Sequence, residues 1–259
     1  MTTVISKNMV ISEGVVFDAG NAGVVGWQNI ANTANATVTS ETAAGPLSNM
    51  FNDSTAFFWQ ASSTATQTIT ITAGGVPVDY IGIARHNLAG ATVTIKYDGA
   101  TIIPATVIDS QSTMFLTSEA SPTTITITIA GATTAPKIAV LRAGQSIRLQ
   151  RNIYVGHTPI TYGRNRIEVS AMSENGEYLG RILRGETRST EVTLQNLTPD
   201  WYRAYLDPWI ASREPCFFAW RPVDYPAEVN YCWIEGDTRP VNSRSNGMMD
   251  VSFNLKGMP

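Results

Sequence analysis

The run Gln67-Thr68-Ile69-Thr70-Ile71-Thr72 alternates threonine with isoleucine. A period of two puts the isoleucines on one face of an extended chain and the threonines on the other, so this segment reads as a half-buried strand. Both residue types are β-branched and favour a pleated sheet. Gly74-Gly75 then turns the chain, and Val78 to Ala84 follows as a largely buried strand. Arg85-His86-Asn87-Leu88 leaves that strand as a loop, and Ala91 to Tyr97 forms another, ended by Asp98-Gly99. Thr123 to Ile129 and Lys137 to Leu141 add two more. Short β-branched strands at this spacing predict an antiparallel sandwich. Upstream, Val4-Ile5, Met9-Val10-Ile11 and Val15-Val16-Phe17 read as short strands. The stretch from Asn29 to Thr55 is too long for a structureless loop in a compact domain, so a short strand is expected near Thr37-Val38-Thr39.

The second half has a different texture. Val192 and Leu194 alternate with polar residues as a strand does, and Thr198-Pro199-Asp200 is a helix start. Thr198 suits the cap, Pro199 the first turn, and Asp200 the positive end of the helix dipole. Trp201, Tyr202, Tyr205, Leu206, Trp209 and Ile210 share one helix face, and Pro208 is expected to kink or end the helix near Asp207. Cys216-Phe217-Phe218-Ala219-Trp220 reads as a strand buried on both sides, followed by strands at Glu228 to Trp233 and Met249 to Leu255. Ile147 and Leu149 alternate with cations as in an edge strand, and Asn175-Gly176 is a hairpin turn between Ile167-Glu168-Val169-Ser170 and Tyr178-Leu179-Gly180-Arg181.

Charge density changes near Gly144: residues 1–145 hold 5 Lys+Arg and 8 Asp+Glu, whereas residues 146–259 hold 13 and 13. Trp201, Trp209, Trp220 and Trp233 lie in the second part and only Trp27 and Trp59 in the first. Two domains are therefore expected, 1–145 and 146–259, giving a β-rich protein with a sandwich followed by a β-domain carrying one main helix. Tyr, Trp and Arg are enriched at protein-binding hot spots, and balanced charges argue against a nucleic-acid surface. The helix face is wider than one small sheet needs. Trp201, Tyr202, Tyr205 and Trp209 are thus expected to reach a neighbouring subunit, with Arg203, Arg213 and Arg221 pairing with its acids.

A formal net charge of −3 predicts neither polyanion nor membrane binding, no run is long enough for a membrane span, and the first ten residues lack a basic, then apolar, leader. Synthesis and retention in the cytoplasm is the corresponding expectation. With two histidines, His86 and His157, and no nucleophile elbow, phosphate loop or metal-ligand spacing, no catalytic residue, metal or cofactor is expected. Cys216 and Cys232 lie in two aromatic strands and could be neighbours across a sheet. Two buried free thiols is the simpler expectation and a disulfide the alternative.

Two resemblances bear on function. The order strand, helix, then Phe217-Phe218-Ala219-Trp220-Arg221-Pro222, then Glu228-Val229, then the alternating Met249 to Leu255 resembles the tube-forming domain of distal tail and minor tail proteins of long, non-contractile-tailed bacteriophages. That resemblance implies a virion protein assembled in the host cytoplasm. It would form a ring, a hexamer, with itself, joining the tail tube to tail-tip hub proteins, and its hairpin would contribute to the inner wall. Separately, Phe58-Trp59-Gln60-Ala61, Thr68 to Ile71, Tyr80-Ile81-Gly82-Ile83-Ala84-Arg85-His86-Asn87-Leu88 and Val93-Thr94-Ile95 resemble the jelly roll of discoidin-type, galactose-binding-like domains. That motif is structural and carries over no sugar-contacting residue. At the loop end, Trp59, Arg85, His86 and Asn87 are the candidates to face a ligand. The alternative function is accordingly binding of a saccharide on the host surface, against a jelly roll that is only a spacer.

Overall fold

The computed structural model describes residues 4–5, 8–16, 22–108, 112–153, 156–242 and 247–258. The chain is β-rich, and among the described residues three sheets and the helical segment 199–212 stack in layers, with a short 3-10 turn at Leu47–Phe51. The first layer holds Ala36–Val38, Gln67–Thr72, Thr124–Ala130, Thr92–Tyr97 and Ala100–Val107 in that spatial order, all antiparallel. The Thr/Ile alternation does what its period predicts: Ile69, Ile71, Ile125 and Ile127 are fully buried while the threonines between them stay half-buried or exposed. Pro104 lies in the edge strand of this layer, where a missing N–H is tolerated.

The second layer runs Val4–Ile5, Met9–Ile11, Ser112–Ala120, Val78–His86, Lys137–Gly144 and Trp59–Gln60. Its one parallel pairing joins Met9–Ile11 to Ser112–Ala120. This sheet is covered on both faces. Ile81, Ile83 and Phe115 pack into the sandwich core with the isoleucines of the first layer, whereas Tyr80, Ala84, Met114 and Leu116 pack with Phe217, Ala219, Val229 and Tyr231 of the next sheet.

That third sheet is ordered Ser146–Arg148, Val24–Gly26, Cys216–Ala219, Val229–Glu235, Met249–Gly257, Tyr178–Leu197 and Arg164–Met172, with Val241–Asn242 also paired to Met249–Gly257. Its far face buries Cys216, Phe218, Cys232, Val251 and Phe253 against the helical segment. Cys216 and Cys232 are register partners with free thiols 3.5 Å apart. The chain passes from the second sheet to the third between Gly144 and Ser146. Residues 24–26 depart from a division at 145, because they pair with both Ser146–Arg148 and Cys216–Ala219. Three residues are too few to show a period, yet Val24 fills the core between sheets two and three and Val25 fills the core beneath the helix. Of the upstream pieces, Val15-Val16 forms no strand and Phe17 lies outside the described residues.

Pro208 does not end the helix. The segment runs as α-helix over Pro199–Trp201, π-helix over Tyr202–Leu206 and α-helix over Asp207–Ser212. The Asp207 N–H reaches back five residues to the Tyr202 carbonyl, and this widened turn accommodates the proline ring. The helix stops at Arg213, which adopts a left-handed conformation with φ 54°.

Sheets two and three are also tied by polar contacts. Arg142, fully buried on the second sheet, donates from Nη2 to Asp53 Oδ1 at 2.7 Å and from Nη1 to the Trp27 carbonyl at 2.6 Å and Glu214 Oε2 at 3.1 Å. Tyr80 Oη donates to the Gln28 carbonyl at 2.6 Å, and Asp79 accepts from the Ser146 N–H at 2.6 Å. Gly82 lies at the centre of this interface, and a Cβ built there would sit 2.3 Å from the Phe217 ring. Gly82→Ala should therefore destabilise the protein by about 1–3 kcal/mol through overpacking. The urea midpoints of the sheet signal and of the tryptophan fluorescence should fall together. A shift in one without the other would show that the layers do not share a core.

Candidate functional site

At one end of the sandwich a pocket of about 290 Å³ is lined by Thr55, Ala56, Phe58, Arg85, His86, Asn87 and Lys137. Three of the four loop-end residues expected from the sequence meet here. Trp59 does not. It is fully buried, its indole N–H donates to the Ser40 carbonyl at 3.1 Å, and it belongs to the sandwich core. Because neighbours along a strand face opposite ways, burial of Trp59 turns Phe58 outward, and Phe58 is the aromatic that borders the pocket. Lys137 arrives with the strand that pairs with Gln60, and its Nζ stands 4.7 Å from the centre of the Phe58 ring.

Each polar residue of the pocket has a distinct role. Asn87 holds the rim: its Nδ2 donates to the Ala135 carbonyl at 2.9 Å and Thr134 Oγ1 at 3.0 Å, and its Oδ1 accepts the Lys137 N–H at 2.7 Å. His86 Nδ1 accepts the Leu88 N–H at 3.2 Å, so the ring proton of the neutral form sits on Nε2. That Nε2 is buried and has no hydrogen-bond partner among the described residues. Burial pushes the His86 pKa down from 6.5 to about 4, so the ring is a neutral donor at ordinary pH. Arg85 is exposed and held at φ 53°, in the left-handed region that arginine seldom occupies. A second pocket, of about 550 Å³, lies elsewhere on the sandwich between Tyr97, Ile102, Pro104 and Ala120, and its ionisable carboxyls are Glu13 and Glu119.

The expected subunit-contact residues divide. Trp209 is fully buried edge-on against Phe253, and Tyr202 is 3% exposed, so both serve the chain's own core and are unavailable to a neighbour. Tyr205 is exposed and Trp201 half-exposed, with ring centres 6.0 Å apart. Arg203 is exposed. Arg213 pairs with Asp237 at 3.1 Å and Arg221 with Asp224 at 3.5 Å, so the acids they meet lie in the same chain.

The larger exposed apolar surface is a hairpin. Arg164–Met172 and the first half of Tyr178–Leu197 pair as a two-stranded ribbon closed by Ser173 to Glu177, and all nine residues of the first strand are exposed. One face carries the ion pairs Arg166–Glu186 at 3.3 Å and Arg181–Glu168 at 3.1 Å. The other carries Ile167, Val169 and Ile182, with Val169 directly opposite Ile182. Among the described residues there is no cluster of groups that could hold a metal ion, and no helix is long and apolar enough to cross a membrane.

No protein-family model matches the chain, and no curated protein matches it. Among solved structures it is similar to chitosan-binding module 1 of a chitosanase/glucanase from Paenibacillus sp. IK-5, at 15% identity and TM-score 0.39, over 46% of this chain and 99% of that one. It is also similar to the family 32 carbohydrate-binding module of NanJ from C. perfringens in complex with galactose, at 16% identity and TM-score 0.35, over 43% of this chain and 92% of that one. A Ruminococcus gnavus fucosidase in complex with fucose matches at 18% identity and TM-score 0.40, over 46% of this chain and 27% of the enzyme. At these identities and scores the likeness carries no argument about ligand or activity.

The depressed pKa of His86 gives a signed expectation. Between about 4 and 6.5 the unfolded chain binds a proton that the folded one refuses, so this contribution to stability is complete above pH 6.5 and is lost as pH falls towards 4. The whole effect is at most about 3 kcal/mol. Wild type should lose more stability than His86→Gln between pH 7 and pH 4 in urea titrations. Parallel curves would show that the ring is solvated when folded.

Proposed function

We propose that this chain is a non-catalytic assembly protein that joins copies of itself through the hairpin at Arg164–Met172. Such a protein would take the part of a distal-tail-type ring in a phage tail, with the sandwich carried on the ring's outside. The observation that supports this reading is the amphipathic ribbon. A two-stranded hairpin exposed on both faces is marginal in water by itself, and this one places Ile182, 70% exposed, and Ile167, 59% exposed, on a face that the described residues leave open. Repeating that contact by rotation closes a ring in which the apolar faces are covered and the face of arginine–glutamate pairs turns to water. The exposed Tyr205, Trp201 and Arg203 would border the same assembly.

A second reading, binding of a saccharide at the sandwich end, is favoured by a specific observation. Phe58 borders a concave pocket lined also by Arg85, His86, Asn87 and Lys137, an aromatic wall beside polar side chains. The two readings are compatible, since they use opposite parts of the chain's sequence.

Light scattering on the purified full chain should give an oligomeric mass, with rings in negative-stain micrographs. Ile167→Glu combined with Ile182→Glu should give a monomer whose circular dichroism and melting temperature match wild type within a few degrees. A wild-type monomer at about 100 µM, a concentration at which contacts worth more than roughly 6 kcal/mol persist, would overturn the assembly reading.

A further inference from the structure

We propose that the larger pocket of the sandwich, about 550 Å³, binds an aliphatic diamine, an alkyl chain carrying one ammonium group for each of Glu13 and Glu119. This pocket lies at the end opposite Phe58. Ala120 lines it and pairs with Val78, whereas Ser112, at the strand's other end, pairs with Ala84 near His86. Both sheets of the sandwich contribute to its wall: Ile102 and Pro104 come from Ala100–Val107, the edge of the first layer, and Ser118 to Ala120 from Ser112–Ala120 of the second. The pairing of Ser112–Ala120 with Val78–His86 shifts register between Leu116 and Ala120, so Ser118 and Glu119 fall within an irregular stretch. Breaks of this kind re-aim side chains at the rims of sheets and beside sites. Glu13 is brought to the same rim by Ser118, whose Oγ donates to its carbonyl at 3.4 Å.

The use this half of the chain makes of its acids sets these two apart. Glu41 accepts the Leu47 N–H, Asp53 holds Arg142, Asp79 accepts from Ser146, and Asp98 accepts the N–H groups of Thr123 and Thr124. Each of those carboxylates fastens the fold. Glu119 accepts from a neutral donor, Gln145 Nε2, at 3.3 Å, and among the described residues neither Glu13 nor Glu119 forms an ion pair. Both side chains are exposed at the rim. Arg148, on the adjoining strand Ser146–Arg148, is paired with Asp79 at 3.7 Å, and no lysine, arginine or histidine lines the pocket. Beside the two acids the wall offers carbon from Ile102, Pro104, Ala120 and Tyr97, whose hydroxyl is engaged with Thr117 Oγ1 at 3.1 Å. An ammonium group only donates, and its methylene stem packs along apolar surface while the charge stays at a wet rim. A ligand carboxylate would meet no cation here. A bare metal ion would want more oxygen ligands than two carboxylates supply and would make no use of the apolar wall.

The test is an NMR titration of the full chain at low salt with cadaverine, pentylamine, pentanediol and calcium chloride. Cadaverine should shift the signals of Glu13, Ile102, Glu119 and Ala120 and bind about fivefold more tightly than pentylamine, whereas pentanediol should leave them in place. Glu13→Gln and Glu119→Gln should each bring cadaverine down to the affinity of pentylamine. Ile102→Thr, which keeps a β-branched residue in the strand, should weaken both amines alike. Added salt should weaken them too. Glu13 lies outside every strand, so Glu13→Gln decides should Glu119→Gln disturb the irregular stretch. Calcium binding as tight as cadaverine binding, with no effect of Ile102→Thr on the latter, would show a simple counterion and overturn the proposal. Pentanediol binding as tightly as cadaverine would overturn it as well, as would shifts that survive both glutamate variants, or no shifts at all. The assembly and saccharide readings stand on other residues and are untouched by any of these outcomes.

Discussion

Arg142 is the residue on which the arrangement of layers turns. A guanidinium cannot lose its proton inside a protein, so burying one requires that its donors find acceptors. Arg142 finds them in three separate pieces of chain: the loop holding Asp53 in the sandwich, the carbonyl of Trp27, and Glu214 just past the helix. Each piece lies far from the others in sequence, and a displacement of any one would leave a buried cation short of a partner. Tyr231 adds to the same cluster by donating to the Asp53 carbonyl at 3.2 Å. The apolar contact between sheets two and three supplies cohesion without direction, and the arginine supplies the direction.

The molecule thus treats its surfaces in two ways. Around Arg142 it hides a charge and gives each of the three guanidinium nitrogens an acceptor, which fixes how the sandwich sits on the third sheet. On the ribbon at Arg164–Met172 it leaves isoleucine and valine in water while its ion pairs lie on the other face. Stability alone does not account for that ribbon, because truncating it would remove exposed apolar surface and no core residue. The pocket beside Phe58 lies between these extremes, its rim tied by the Asn87 hydrogen bonds to Thr134, Ala135 and Lys137 while Phe58 and Arg85 stay exposed.

Much of the fold was legible because β-branched alternation is a strong local signal. Gln67–Thr72, Thr124–Ala130 and Met249–Gly257 keep their period and their buried face. Ser112–Ala120 was not seen, because Met114-Phe115-Leu116 is covered on both sides and shows no alternation, and Ala100–Val107 was obscured by Pro104. The breadth of the helix's aromatic face was plain from the sequence. Which part of it the chain's own Phe253 would cover was not, since that depends on a strand more than forty residues later. The site divided in the same way. Arg85, His86 and Asn87 followed from the end of a strand, but the choice between Phe58 and Trp59 required knowing which of two adjacent faces points inward. Lys137 had no local sign at all, because only the pairing of its strand with Gln60 brings it to the rim.

A sheet covered on both faces has a mechanical consequence. The second sheet is the floor of the sandwich and also the ceiling of the layer above the helix, so no flexible tether separates the pocket from the ribbon. Gly82 and Phe217 are in close packing contact where the two sheets meet. A pull on the sandwich therefore reaches the third sheet, to which the ribbon belongs, through a packed interface rather than through a linker.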